Sequence, residues 1–310
     1  SCRRIYVGDS FQQIYTFRFA TNALNKIDLP SYDLTQSFRF GDNYAKVLQN
    51  NLNSLYEINS SKPLKISGLE KTTQIGKNHI DFSKQFCVIA RSTFGLIQQL
   101  VYFIHDKKKV YFEGGYNSYS FMNQTVYSIF YLKQKKNDKI TIDEIKDFET
   151  INELEQFAKD TKNQDYLNII KFINTYGDNI FEINKKIKEF LVNDKKDADI
   201  IFTTTHKSKG LEYEQVIMAD DFISKKEITN TKNKLSFQRI NEELNIYYVA
   251  ATRAKNAIQL ADLNLSYTYN ENDETTTHVR SRFISKRADN KKSKELQEEW
   301  LKNNRAKKII

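Results

Sequence analysis

"QFCVIAR", Gln85–Arg91, runs from Phe86 to Ala90 without a polar residue and ends on a cation. Alternation of apolar and polar residues would mark a strand with one face in water. An unbroken run of this length suits a strand covered on both faces, as parallel sheets require. The neighbouring segments agree. Phe94 to Ile104 is amphipathic and predicts a crossover helix, and "KVYF", Lys109–Phe112, closed by Gly114 and Gly115, predicts the next strand. Strand, helix and strand in this order predict a mainly parallel α/β sheet.

Upstream, a strand is expected at Arg4–Val7, followed by a helix from Asp42 to about Tyr56 on the spacing of Tyr44, Val47, Leu48 and Leu52. The polar segment after it predicts an irregular connector. From about Tyr119 to Lys196 the periodicity is helical, as in Ile183, Ile187, Phe190 and Leu191, and predicts a helical insertion. Strand-like runs resume with "ADIIFTT" (Ala198–Thr204), "EQVIMAD" (Glu214–Asp220) and "NAIQLAD" (Asn256–Asp262). Between the last two, Leu244, Tyr247, Tyr248 and Ala251 mark one buried helix face.

A chain of 310 residues with 39% hydrophobic content can bury a sizeable core and form more than one lobe. It holds no apolar run long enough to span a membrane and no secretory leader pattern, so no membrane partner and an intracellular location are expected. Cys2 and Cys87 form no C-x-x-C, and His79, His105, His206 and His278 make no close ligand pair, which argues against disulfides and a metal site. The net charge is +9, and residues 281–310 carry ten Lys or Arg against four acidic residues. Such a tail either neutralises nucleic-acid phosphates or forms a solvated helix, with Leu296, Trp300 and Leu301 as a narrow apolar stripe.

Four stretches place polar groups just past apolar runs, where open α/β sheets bind ligands. They are "GDSFQQIYTFR", "LTQSFRF", "THKSKGLEYEQV" and "NIYYVAATRAK". Singly, Arg39 suits a surface arginine, His206 a loop histidine and Arg253 a cation at a helix C-terminus. Their occurrence together and in order carries more information.

In that order, "VGDSFQQIYTFRFA", "YDLTQSFRFG", "THKSKGLEYEQVIMADDF" and "EELNIYYVAATRAK" resemble motifs III, IV, V and VI of the UvrD-like superfamily 1 DNA helicases, most closely the F-box branch. The resemblance implies a RecA-like parallel-sheet motor domain, 2A, at 30–118 and 196–262. A helical 2B-like insertion would occupy 119–195, the C-terminal edge of a first RecA-like domain, 1A, 1–29, and a basic tail 263–310. It implies ATP as cofactor, with Gln12 near the γ-phosphate, Arg39 and Arg253 as cleft arginines, Phe38 beside adenine, Glu212 accepting from ribose and Gly210 allowing close backbone approach. Fixed positive charge where the γ-phosphate gains negative charge can be worth about 10³ to 10⁵ in rate.

Tyr15 and Phe17 would stack single-stranded bases, Arg18 would accompany them, and Thr205, His206 and Lys209 would line the DNA path or couple it to the cleft. Phe19 departs from the family, which commonly has glycine there. No G-x-x-x-x-G-K-[ST] occurs, nor an Asp-Glu pair after an apolar strand before motif III. The phosphate loop, the Mg²⁺ ligands and any F-box are therefore expected upstream of residue 1, on a domain 1A supplied in cis or in trans. The resemblance implies 3′ to 5′ translocation on single-stranded DNA beside duplex, in recombination and repair in the nucleus, with little ATPase activity from this chain by itself. A truncated paralogue acting as a non-catalytic nucleic-acid-binding or interaction module is the other reading.

Overall fold

The computed structural model describes residues 5–15, 27–58, 63–103, 106–119, 121–161, 163–223 and 237–261. They fall into two compact units, one holding the described residues up to Leu96 together with those from Asp199 onward, the other Ile97–Ala198.

The first unit begins with β1 (Gln36–Gly41), α1 (Asp42–Ile58), β2 (Ser67–Leu69) and β3 (Gln74–Ile75), followed by β4 (Phe86–Ala90) and the start of α2 (Thr93–Phe103). β1 and β2 pair in parallel, and glycine is required where they meet. A Cβ on Gly41 would lie 1.9 Å from the Lys71 carbonyl oxygen, and one on Gly68 would lie 2.3 Å from the Gly41 carbonyl carbon. The segment after α1 is thus more ordered than the irregular connector expected from its polarity. Strands of three and two residues are too short to show a period. At the N-terminus, Arg4 lies outside the described residues and Ile5–Val7 form no strand; Ile5 is 87% and Val7 80% exposed, and among the described residues neither backbone edge is paired. Apolar character alone does not make a strand, because the backbone groups need a partner.

The second half of this unit supplies β6 (Ile200–Thr204), the one-turn α8 (Thr205–Ser208), β7 (Tyr213–Met218), α9 (Phe237–Ala251) and β8 (Ala254–Gln259). The strand order is β3-β8-β7-β4-β6, and the pairings are parallel. β4 is central: Ala90 pairs with Thr204 of β6 and Ile89 with Met218 of β7. Each of the five residues of β4 and of β6 is buried, as the unbroken apolar run requires. α1 and α9 pack together through tyrosines. The buried Tyr44 hydroxyl donates to the Ala251 carbonyl at 2.8 Å, and Tyr56 donates to Asn245 Oδ1 at 3.0 Å.

The other unit holds the rest of α2, β5 (Val110–Phe112), α3 (Gln124–Lys133), α4 (Asp143–Lys146), α5 (Ile151–Asp160), α6 (Gln164–Tyr176) and α7 (Asn179–Phe190). Asn123, Thr150 and Asn163 cap α3, α5 and α6 by accepting from Val126, Glu153 and Tyr166 amides. Gly177 ends α6 at a positive φ of 53°, its amide donating to the Ile173 carbonyl. Helical periodicity was therefore a sound guide in this region.

At the end of β4 the chain turns on a polar knot. Asp221 Oδ1 accepts from the Arg91 amide at 2.9 Å, and its Oδ2 accepts from the Ser92 amide and hydroxyl, each at 2.7 Å. A Cβ on Gly95 would stand 2.1 Å from Asp221 Oδ2. Gly95→Ala is expected to cost about 1–3 kcal/mol of stability through this overlap. In an Asp221→Ala background the added cost should shrink towards zero, and urea unfolding of the four variants in the cycle checks both statements.

Candidate functional site

Burial rises along β1, leaving Phe40 buried and Phe38 79% exposed. Arg39 points to the opposite face from these rings. There its Nη1 donates to the Thr252 carbonyl at 2.8 Å and its Nε to Glu212 Oε2 at 3.3 Å. The other oxygen of Glu212 takes the Lys255 ammonium at 2.6 Å, and Lys255 also reaches Glu214 at 3.3 Å. Lys255 is the main reason that the half-exposed Glu212 carboxyl lies below its ordinary range, with Arg39 adding to it. Glu212 follows a tight turn: Gly210 adopts φ +87°, and the Leu211 amide donates to the Ser208 carbonyl at 2.9 Å. The left-handed conformation at 210 explains glycine there.

Arg253 is placed differently from an arginine held out for a ligand. It is 2% exposed and folded back on the end of α9, with Nε on the Val249 carbonyl at 2.7 Å, Nη1 on the Leu211 carbonyl at 3.2 Å and Nη2 on Thr252 Oγ1 at 2.9 Å. Burial first, then the neighbouring Arg39 charge, pulls it down to about 10. It stays charged at neutral pH.

A second cluster gathers around residues 9–15. Asp9 caps a single 3-10 turn, Ser10–Gln12, taking the Phe11 amide on Oδ1 and the Gln12 side-chain amide on Oδ2, both at 2.9 Å. Lys209 Nζ donates to the Gln12 carbonyl at 2.7 Å and stands 5.4 Å over the Tyr15 ring. His206 Nε2 donates to the Ile14 carbonyl at 2.9 Å, and the Tyr15 hydroxyl returns a bond to the His206 carbonyl at 3.2 Å. Asn245 of α9 donates to the Ser10 and Gln13 carbonyls. Thr205 is buried beneath this cluster with its hydroxyl on the Ala90 carbonyl. Phe17 and Arg18 lie outside the described residues.

Tyr248 of α9 packs on the second cluster, its ring 6.0 Å from that of Phe11. This buried residue feels the charges of Asp9, Arg253 and Arg39; burial first, then Asp9, pushes its hydroxyl well above the usual tyrosine range. The resemblance put Gln12 at the nucleotide with Arg39 and Arg253, and Tyr15, His206 and Lys209 on the DNA side; the structure brings Gln12 to Asp9 and Lys209 beside Tyr15, and Arg39 to Glu212. The sequence did not single out Asp9, Asn245, Thr252 or Lys255, and it counted Tyr248 only as core. Lys255, two residues after Arg253 at the start of a strand, was the one detectable signal. Among the described residues no group of three or more His, Cys, Asp or Glu is arranged to hold a metal.

The family of the UvrD-like helicase C-terminal domain matches residues 15–267. The chain belongs to this UvrD-like family. Its parallel α/β architecture accords with a RecA-like helicase C-terminal domain. Two curated relatives are an F-box DNA helicase 1 from Gallus gallus, 29% identical over 84% of this chain, and an F-box DNA helicase protein 1 from Schizosaccharomyces pombe, 29% identical over 84%. The chain spans 27% and 31% of their lengths.

In this UvrD-like domain His206 is the pivot between sheet and N-terminal segment. Burial lowers its pKa, against the upward pull of its bond to the Ile14 carbonyl; Arg91 lowers it further, while Glu243 and Glu242 raise it. Arg91 is itself clamped bidentately on Glu243, both contacts at 2.8 Å. With its folded pKa below the unfolded value, His206 binds more protons when unfolded. Stability therefore rises with pH through the window below about 6.5, and is lost as pH falls through it. His206→Gln should flatten that part of the pH–stability curve, as read by thermal unfolding in steps from pH 7.5 to 5. An unchanged slope would remove His206 as the titrating group.

Proposed function

We propose that this UvrD-like domain is one lobe of an ATP-driven DNA helicase motor that moves 3′ to 5′ along single-stranded DNA, in nuclear recombination and repair. The observation that carries the reading is the presence in one compact unit of two clusters, Arg39 with Glu212 and Tyr15 with His206 and Lys209. One has the chemistry of a nucleotide site and the other that of a nucleic-acid site. The DNA helicase names of the curated relatives support the same class.

The residues of the first cluster fit ATP. Phe38 offers an exposed ring for a purine, Arg39 a fork-shaped cation for phosphate oxygens, and Glu212 an acceptor for a ribose hydroxyl. Hydrolysis of bound ATP supplies the free energy for movement. Arg39 and, behind it, the buried Arg253 bring fixed positive charge to one wall, with Arg253 held by bonds to Val249, Leu211 and Thr252. Mg²⁺ has no matching set of acids among the described residues, so its ligands and the phosphate loop are assigned to the domain 1A lobe, and no step here runs through the metal.

In the second cluster Tyr15 lies against His206 and Lys209, half-buried, and presents part of its ring to a base. Stacking on such a ring is worth roughly 1–3 kcal/mol per base and tolerates any sequence. Lys209 is placed to add phosphate attraction. Duplex beside the single strand completes the substrate class. A second reading, a binding module without hydrolysis, draws on the placement of Arg253, each of whose three nitrogens already donates to the protein.

Tyr15→Ala should weaken binding of a fluorescent oligo-dT by about 1–3 kcal/mol in anisotropy titrations. Arg39→Ala should leave that affinity unchanged without nucleotide. Combined with a lobe that carries the phosphate loop, the wild-type chain should show DNA-stimulated ATP hydrolysis and the Arg39→Ala chain at least about a hundredfold less. Hydrolysis unaffected by Arg39→Ala would sink the motor reading, and its absence from the wild-type pair would leave the binding-module reading.

A further inference from the structure

Glu212 is shared by two cations of unequal standing. Lys255 makes the short contact, 2.6 Å to Oε1, and is tied in place by a second contact to Glu214. Its backbone is fixed as well, because the buried Thr73 hydroxyl donates to the Lys255 carbonyl at 2.8 Å and receives the Gly41 amide at 2.9 Å. Arg39 makes the longer contact, 3.3 Å to Oε2 through Nε, and keeps a second anchor on the Thr252 carbonyl. Neither of these bonds uses Nη2, and the Arg39 side chain is 23% exposed.

We propose that Lys255 is a positioning residue for the nucleotide site: it holds Glu212 so that Arg39 can exchange Glu212 for a phosphate while Glu212 Oε2 becomes free for a ribose hydroxyl. The inference rests on the nucleotide reading given above. Without Lys255, departure of Arg39 would leave an uncompensated carboxylate close to a polyphosphate, and like charges there oppose binding. With Lys255 in place, Glu212 stays paired throughout. The exchange also accounts for a glutamate beside a phosphate-binding arginine, an arrangement that would otherwise compete with the ligand. Arg39 rests on Glu212 until phosphate arrives, and the vacated oxygen then contributes to recognition of the nucleoside.

The exchange can be followed on the full chain by NMR of the Arg39 Nε–H group, titrated with ATP and separately with inorganic tripolyphosphate. The wild-type resonance should shift with both ligands. Lys255→Met should bind ATP about three- to tenfold more weakly, the scale of one partly exposed ion pair, and Lys255→Arg should restore binding. Glu212→Gln/Lys255→Met should bind tripolyphosphate as well as Glu212→Gln alone, because the charge that Lys255 offsets is gone. Each variant should melt within a degree or two of wild type, since Lys255 is half-exposed. If ATP shifts Phe38 and Gly210 resonances but neither the Arg39 Nε–H nor the affinity depends on Lys255, the exchange is overturned while the nucleotide site stands. If ATP shifts none of them, the site itself is wrong and the exchange falls with it. Equal loss in Lys255→Arg and Lys255→Met would also overturn it, because charge would not be the operative property.

Discussion

The functional groups of the first unit depend on the pairing of β4 with β6 on one side and β7 on the other. A buried backbone must have both edges satisfied, so β4 cannot slip in register without stranding donors and acceptors on one of its neighbours. Because the three strands are parallel, their C-terminal ends fall at one edge. Arg91 and Ser92 follow β4 there, Thr205 and His206 follow β6, and Asp221 follows β7. The Asp221 bonds to the Arg91 and Ser92 amides then lock two of these ends together. His206 is consequently presented to the Ile14 carbonyl from a rigid support, although it belongs to a helix of one turn.

The end of α9 solves an electrostatic problem with the same economy. The last carbonyls of a helix lack intrahelical partners and form the negative end of its dipole. Val249 accepts from Arg253, Ala251 from Tyr44 and Thr252 from Arg39. Two guanidinium groups can therefore lie close together, one of them buried, because each is bonded to main-chain oxygen as well as being near Glu212. Removing a buried donor of this kind leaves carbonyls unpaired, and the cost would be larger than that of a surface ion pair. Structure and proposed chemistry thus draw on the same bonds, with Arg253 weighted towards structure and Arg39 towards exchange.

Much of the first unit was legible because its strands are either wholly apolar or followed at once by polar motifs. β4, β6 and β7 fall where the apolar runs place them, and α1 where its spacing places it. β2 and β3 were invisible because two or three residues carry no period, while Ile5–Val7 looked like a strand but forms none, since composition does not reveal whether a partner edge is present. Motif order singled out Arg39 and Glu212, which the fold brings together, but it set Gln12 with the nucleotide residues, whereas its carbonyl accepts from Lys209. The orientation of Arg253 was not legible, because a side chain turned back onto its own helix end leaves the same letters in the sequence as one held outward. Lys255 and Asp9 escaped notice for a related reason: a charged residue reveals its partner only when the fold brings a distant segment beside it.

The two clusters differ in kind. Around Glu212 the contacts are ion pairs at the edge of solvent, and such pairs can exchange partners at modest cost. Around Ile14 the contacts are main-chain carbonyls held by His206, Lys209 and Asn245, with Ile14 itself fully buried. Tyr248, buried on α9, has its ring 6.0 Å from that of Phe11, in the turn that Asp9 caps. Both kinds of contact meet at one helix: the carbonyls of Val249 and Thr252 at the end of α9 accept from Arg253 and Arg39, and the Asn245 side chain on the same helix donates to the Ser10 and Gln13 carbonyls.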